Sequence, residues 1–176
     1  MSLKKTKLTT PLHGEWNFLL SGKLSRRLAN RAIFLKTINQ ILTDKAFSNI
    51  PNEINEISIV LCDDKYIHGL NLEHRGKDKP TDVLSFPGYN FKGYKIKDPV
   101  ASPLLGDLVI SIDTTFEQAK RYRVTPSREL LRLVIHGLLH LSGYDHEKVL
   151  PSKAQQMRRA ERRIMAKFQR NLSLLK

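Results

Sequence analysis

A chain of 176 residues with 40% hydrophobic and 27% charged residues has the composition of one soluble globular domain, and no uncharged apolar run approaches the ~18–20 residues that a membrane span needs. Its net charge of +13 sits in two flanks: residues 1–43 hold 8 basic and 1 acidic residue, residues 147–176 hold 9 and 2, and the stretch between them holds 13 and 14. A single cysteine, Cys62, excludes an internal disulfide and fits a reducing compartment, here expected to be the cytoplasm with no disulfide-linked partner.

The N-terminal Met1-Ser2-Leu3-Lys4-Lys5 lacks the apolar stretch of a secretory signal, although residues 1–12 share the basic, hydroxyl-rich, acid-poor character of organellar transit peptides. Leu24, Leu28, Ala32, Leu35, Ile38 and Leu42 recur at helical spacing and predict one amphipathic helix over 23–43, with Lys23, Arg27 and Arg31 as a basic stripe. Ile57-Ser58-Ile59-Val60-Leu61-Cys62 predicts a strand, and Asp63-Asp64 a cap for a short helix through Leu72. A second strand is expected over 82–86, stopped by Pro87-Gly88, then a loop over 88–103 and a third strand over 107–111. Helices follow at about 114–122 and from Pro126 to Leu141. The latter starts on Thr125 as N-cap and is stopped by Gly143. A last helix spans 152–171, with Met157, Ile164, Phe168 and Leu172 on one face and Arg159, Arg163, Lys167 and Arg170 on another. Strands and helices mix without strict βαβ alternation. The expected class is therefore α+β: a single domain over 1–176, its small mixed sheet flanked by helices.

The stretch from His136 through His140 to His146 carries the chemistry. His136 and His140 are four apart on a predicted helix, so their rings leave one face one turn apart. Gly143 can take φ > 0 and reverse the chain, which brings His146 back toward the same ion. Three imidazoles with an open fourth position describe a catalytic zinc site, and another divalent transition metal would accept the same ligands. The spacing equals that of the metzincin proteases, but Gly137 stands where those enzymes carry the glutamate base, which argues against peptide cleavage. Glu129 lies two turns, about 10.5 Å, before His136 and reads as a charge favoured by the helix dipole. Asp145 is either an acceptor for an imidazole or a turn residue, and Cys62 a buried small hydrophobe.

Three blocks in order carry a resemblance: Leu70-Asn71-Leu72-Glu73-His74-Arg75-Gly76-Lys77-Asp78-Lys79-Pro80-Thr81-Asp82-Val83-Leu84-Ser85-Phe86-Pro87, then Leu105-Gly106-Asp107-Leu108-Val109-Ile110-Ser111, then His136 to His146. Over about residues 57–165 the chain resembles the YbeY family of metal-dependent endoribonucleases. The resemblance implies a zincin-like α+β fold and a Zn2+ ion on His136, His140 and His146. It also implies cleavage of single-stranded RNA in the maturation of small-subunit rRNA, above all its 3′ end, and in ribosome quality control. Single-stranded RNA, rRNA and the small ribosomal subunit are then the expected partners, with no membrane. Arg75 matches the family's functional arginine and, with His136, is the catalytic candidate. A guanidinium fork suits phosphate oxygens, and the alternative is a structural ion pair with Asp78 or Asp82.

The chain departs from the family at His74, where tyrosine is common, and in the arginines that follow the third histidine. Two rival functions stay open: a zinc-dependent peptidase or amide hydrolase, and a non-catalytic, metal-stabilised ribosome-assembly factor. The basic flanks are expected to supply salt-dependent, sequence-independent grip on RNA.

Overall fold

In the computed structural model, which describes residues 16–88, 104–145, 150–168 and 174–175, the first element is a strand that the sequence reading missed. This strand, β1 (Asn17–Ser21), turns only Phe18 and Leu20 inward, too short an alternation to stand out. Its hydrogen-bonding partner is β2 (Glu56–Cys62), in parallel register with Phe18 opposite Ile57 and Leu20 opposite Ile59.

The single helix expected over 23–43 is broken. Residues Lys23–Arg27 form a 3-10 helix, Leu28 is extended, and a helix proper, α1 (Arg31–Leu42), starts only after Asn30. The Asn30 side chain accepts a hydrogen bond from the Ile33 N–H, which makes it the N-cap. Leu28 instead bridges to Leu175, and the Ala29 N–H donates to the Leu174 carbonyl. Leu28 is buried whichever backbone carries it, so helical spacing continued across a break.

The remaining elements follow expectation closely. They are α2 (Asp64–Arg75), β3 (Val83–Pro87), β4 (Leu104–Ser111), α3 (Ile112–Tyr122), α4 (Pro126–Leu141) and α5 (Pro151–Phe168). Asp63 caps α2 through the Tyr66 N–H, and Thr125 caps α4 through the Arg128 N–H with Pro126 at the first turn. Gly143 follows α4 at φ 86°, the conformation its stop role needs. The end expected for α5, to residue 171, and most of the loop over 88–103 lie outside the described residues.

The sheet order is β1-β2-β4-β3, parallel except for β3, which runs antiparallel to β4 and forms an edge. Alternation sends Ile57, Ile59, Leu61, Leu108 and Ile110 into the main core shared with α1, α4 and α5. Cys62, Leu84 and Val109 face the other way, onto Ile67 and Leu70 of α2. The two faces of the sheet are therefore covered by different helices, and α2 and α4 end on either side of the β3 edge. Among the described residues no helix is long and apolar enough to cross a membrane.

Candidate functional site

Along the β3 edge runs a cleft of about 1100 Å³. One wall is the C-terminal end of α2 and the loop after it, with His74, Arg75, Lys77 and Lys79. The other is α4 and its exit, with Arg132, His136, His140, Tyr144 and Asp145. Arg75 and the histidine pair come from helices on opposite faces of the sheet, and the cleft is where they meet. Gly76, the C-cap of α2 at φ 63°, turns the chain so that the next residues line the rim. Asn71 fixes that turn: it is buried, and its Nδ2 donates to the Lys79 carbonyl at 2.7 Å. Its Oδ1 has no hydrogen-bond partner among the described residues.

His136 and His140 leave α4 on one face, as their spacing requires. Their Nε2 atoms lie 3.2 Å apart, with the rings at 74° to one another. Two nitrogens each 2.0–2.1 Å from a tetrahedral zinc lie about 3.3–3.4 Å apart, so the pair is spaced as two ligands of one ion would be. The Nδ1 of His136 is 2.9 Å from Oε2 of Glu161 on α5. An Nδ1–H that donates to this carboxylate leaves the Nε2 lone pair aimed into the cleft, the arrangement that orients metal-bound imidazoles. The donor chemistry thus fits a zinc-like ion. Among the described residues no third His, Cys, Asp or Glu completes a metal-sized group with these two, and His146 lies outside them.

The sequence assigns Glu161 no role, yet it left a signal: it is the one acidic residue in a helix with six Lys and Arg. A lone carboxylate in such a helix indicates a specific partner. His74, where the chain departs from the family's common tyrosine, meets the Phe86 ring edge-on at 5.0 Å between centroids.

The residue after His136 has a packing explanation. A Cβ on Gly137 would lie 2.1 Å from Cδ1 of Leu108 and 3.1 Å from Oγ of Ser85. The glycine lets α4 seat directly against β4 and β3, and a larger residue there would have to displace Leu108.

Glu129 is 2% exposed and is held by Arg132 through two hydrogen bonds, of 2.8 and 2.6 Å. It is the acid in the first turn of α4, where the helix dipole favours it, and it also serves as the buried counter-ion of Arg132. Burial opposes the charge on Arg132, and the bond to Glu129 more than offsets it, so the guanidinium stays charged more firmly than usual. Arg132 also reaches Gln118, which donates to Asp82. Asp78, the other acid considered for Arg75, is 2.7 Å from Nε2 of His68. The Cys62 thiol is pushed up to about 12 by burial, with Asp63, Asp64 and Asp113 adding to it, which agrees with an inert packed residue.

Comparison with known proteins points the same way. The family model described as Endoribonuclease YbeY matches residues 24–169. An Endoribonuclease YbeY of Sulfurihydrogenibium sp. (strain YO3AOP1) is 44% identical over 127 residues, 70% of this chain and 80% of that protein. One from Aquifex aeolicus (strain VF5) is 38% identical over 151 residues, 85% of this chain and 91% of that protein. The solution structure of TM1509 from Thermotoga maritima superposes with a TM-score of 0.51 at 27% identity, over 82% of this chain and 90% of that one.

Proposed function

The chain belongs to the YbeY endoribonuclease family, and on that premise we propose that it is a metal-dependent endoribonuclease. Its substrate is single-stranded RNA, its task the maturation of small-subunit rRNA, chiefly at the 3′ end, and ribosome quality control. Its partners are rRNA and the small ribosomal subunit, and its place of action is the cytoplasm.

The observation that carries this reading is the meeting of Arg75 with the His136–His140 pair in one cleft. His136 and His140, with His146 as the third ligand, would hold a zinc ion, and α4 would serve as the metal helix of a zincin-like fold. When bound, the ion supplies Lewis acidity toward a phosphoryl oxygen and toward water. Arg75 binds two oxygens of the scissile phosphate in its guanidinium fork and neutralises charge as it builds on phosphorus. Lys77 and Lys79, at the same rim, hold the neighbouring phosphates. Glu161 keeps the His136 ring in place. Gly137 supports this reading over amide hydrolysis, because the position of a peptidase base is filled by the packing of α4 on the sheet.

The test is cleavage of a labelled single-stranded RNA by the purified protein. Arg75→Ala should lower kcat/KM by about 10²–10³, and a chelator should abolish cleavage until zinc is restored. Cleavage that survives both treatments would overturn the proposal. The product ends separate two chemistries: a 2′,3′-cyclic phosphate marks attack by the ribose hydroxyl, and its absence marks attack by water.

A further inference from the structure

On the far side of Arg132 from the histidines opens a second cleft, of about 620 Å³. It shares Asp82 and Arg132 with the first, so the two are separated only by the wall that these residues build with Gln118 and Glu129. Arg132 precedes His136 by one turn of α4, about 6 Å of rise.

The acids in this second cleft are already satisfied. Glu129 is bonded to Arg132, Asp82 accepts from Gln118, and Glu161 is paired with His136. The cations on its outer side are not: Arg128 and Arg162 are exposed, and no carboxylate among the described residues pairs with either. The same cleft is lined by Tyr122, 52% exposed at the end of α3, an aromatic ring that the core does not use. The guanidinium of Arg121 lies 5.8 Å from the Tyr122 ring centroid, and Arg123 follows at φ 55°, a left-handed conformation that disfavours a side chain. The corner between α3 and α4 therefore presents a half-exposed ring, with the Arg121 guanidinium over it, among arginines. An exposed ring beside cations that lack carboxylate partners among the described residues is what stacks a base and binds its phosphates.

We propose that this cleft is a second subsite on the same RNA strand, holding a nucleotide beyond the scissile phosphate with its base on Tyr122 and its backbone on Arg128 and Arg162. The subsite rests on the endoribonuclease reading above, and it gives that reading's single-stranded substrate a sequence-tolerant contact outside the histidine cleft. The bases of a duplex are stacked on one another and cannot lie on the tyrosine.

Fluorescence anisotropy with a short, labelled, cleavage-resistant single-stranded RNA tests this on the full-length, metal-loaded protein. Tyr122→Ala should weaken binding by about tenfold, the loss of one stacked base, whereas Tyr122→Phe keeps the ring and should bind within about twofold of wild type. The Phe variant separates loss of the ring from loss of the fold. Arg128→Gln combined with Arg162→Gln should reduce the slope of log affinity against log salt by about 1.4, two phosphate contacts on a single strand. Wild-type binding with an unchanged affinity for Tyr122→Ala would overturn the subsite alone, as would equal competition by a duplex of the same sequence. A wild-type protein that fails to bind single-stranded RNA would overturn the subsite together with the reading it rests on.

Discussion

Single residues set the geometry of the cleft in ways their chemistry makes testable. The Glu161 carboxylate holds the His136 ring from behind, so Glu161→Ala should lower zinc affinity by about 10–100-fold. Glu161→Gln keeps an acceptor for Nδ1–H and should lose less. A competition titration against a chromophoric chelator reads both. Gly137 makes the opposite point, because there the absence of a side chain is the function. Adding one methyl group drives it against Leu108, and Gly137→Ala should cost about 1–3 kcal/mol in denaturant unfolding. The histidine pair was legible in the sequence because helical spacing alone puts two rings on one face. Glu161 was not, because nothing local ties residue 161 to residue 136. Only the packing of α5 on α4 brings them together.

At the scale of elements, α5 is anchored by one buried carboxylate. The Asp44 side chain is 3% exposed and sits 2.5 Å from Nη2 of Arg163 and 2.8 Å from Nζ of Lys167. Burial would raise its pKa, but the hydrogen bonds from Arg163, Lys167 and the Ala46 N–H outweigh it and hold the carboxyl well below the usual carboxylate range. A carboxyl depressed in the folded state adds stability above its unfolded pKa of about 3.9 and loses it as pH falls below that value. Because both cations reach solvent, the contribution is modest, about 1–2 kcal/mol. Asp44→Asn should therefore lower the urea midpoint at pH 7, and the gap from wild type should close as pH falls through 4 toward 2. The boundaries of elements follow the same logic of local against distant causes. The three strands β2, β3 and β4 and the capped helices α2 and α4 were readable, since their signals lie within a few residues. Strand β1 has two inward side chains and gains its place from a parallel partner some forty residues away, which no local pattern announces. The break before α1 was readable in principle from Asn30, and the continuing leucine period hid it.

For the whole molecule, the charge of the C-terminal flank divides into two classes. Arg163 and Lys167, grouped by sequence with an RNA-binding face, are engaged by Asp44. Arg170 lies outside the described residues. Arg158 and Arg159 are exposed on the same helix without a carboxylate partner among the described residues. Replacing Arg158 and Arg159 by Gln should flatten the salt dependence of RNA binding by about 1.4 in slope, at about 0.7 per phosphate contact on a single strand, with stability unchanged. Replacing Arg163 and Lys167 should lower stability and leave the salt slope unchanged. Equilibrium binding at several salt concentrations, beside thermal unfolding of the same variants, separates the two classes.

The reach of Glu161 into the cleft also has a temporal meaning. Helix α4, with both histidines, leaves the synthesising ribosome before α5 does. Until α5 has emerged, His136 lacks its carboxylate, and the core lacks Met157, Ala160 and Ile164. A half-made chain thus carries the histidine pair without the carboxylate that positions it.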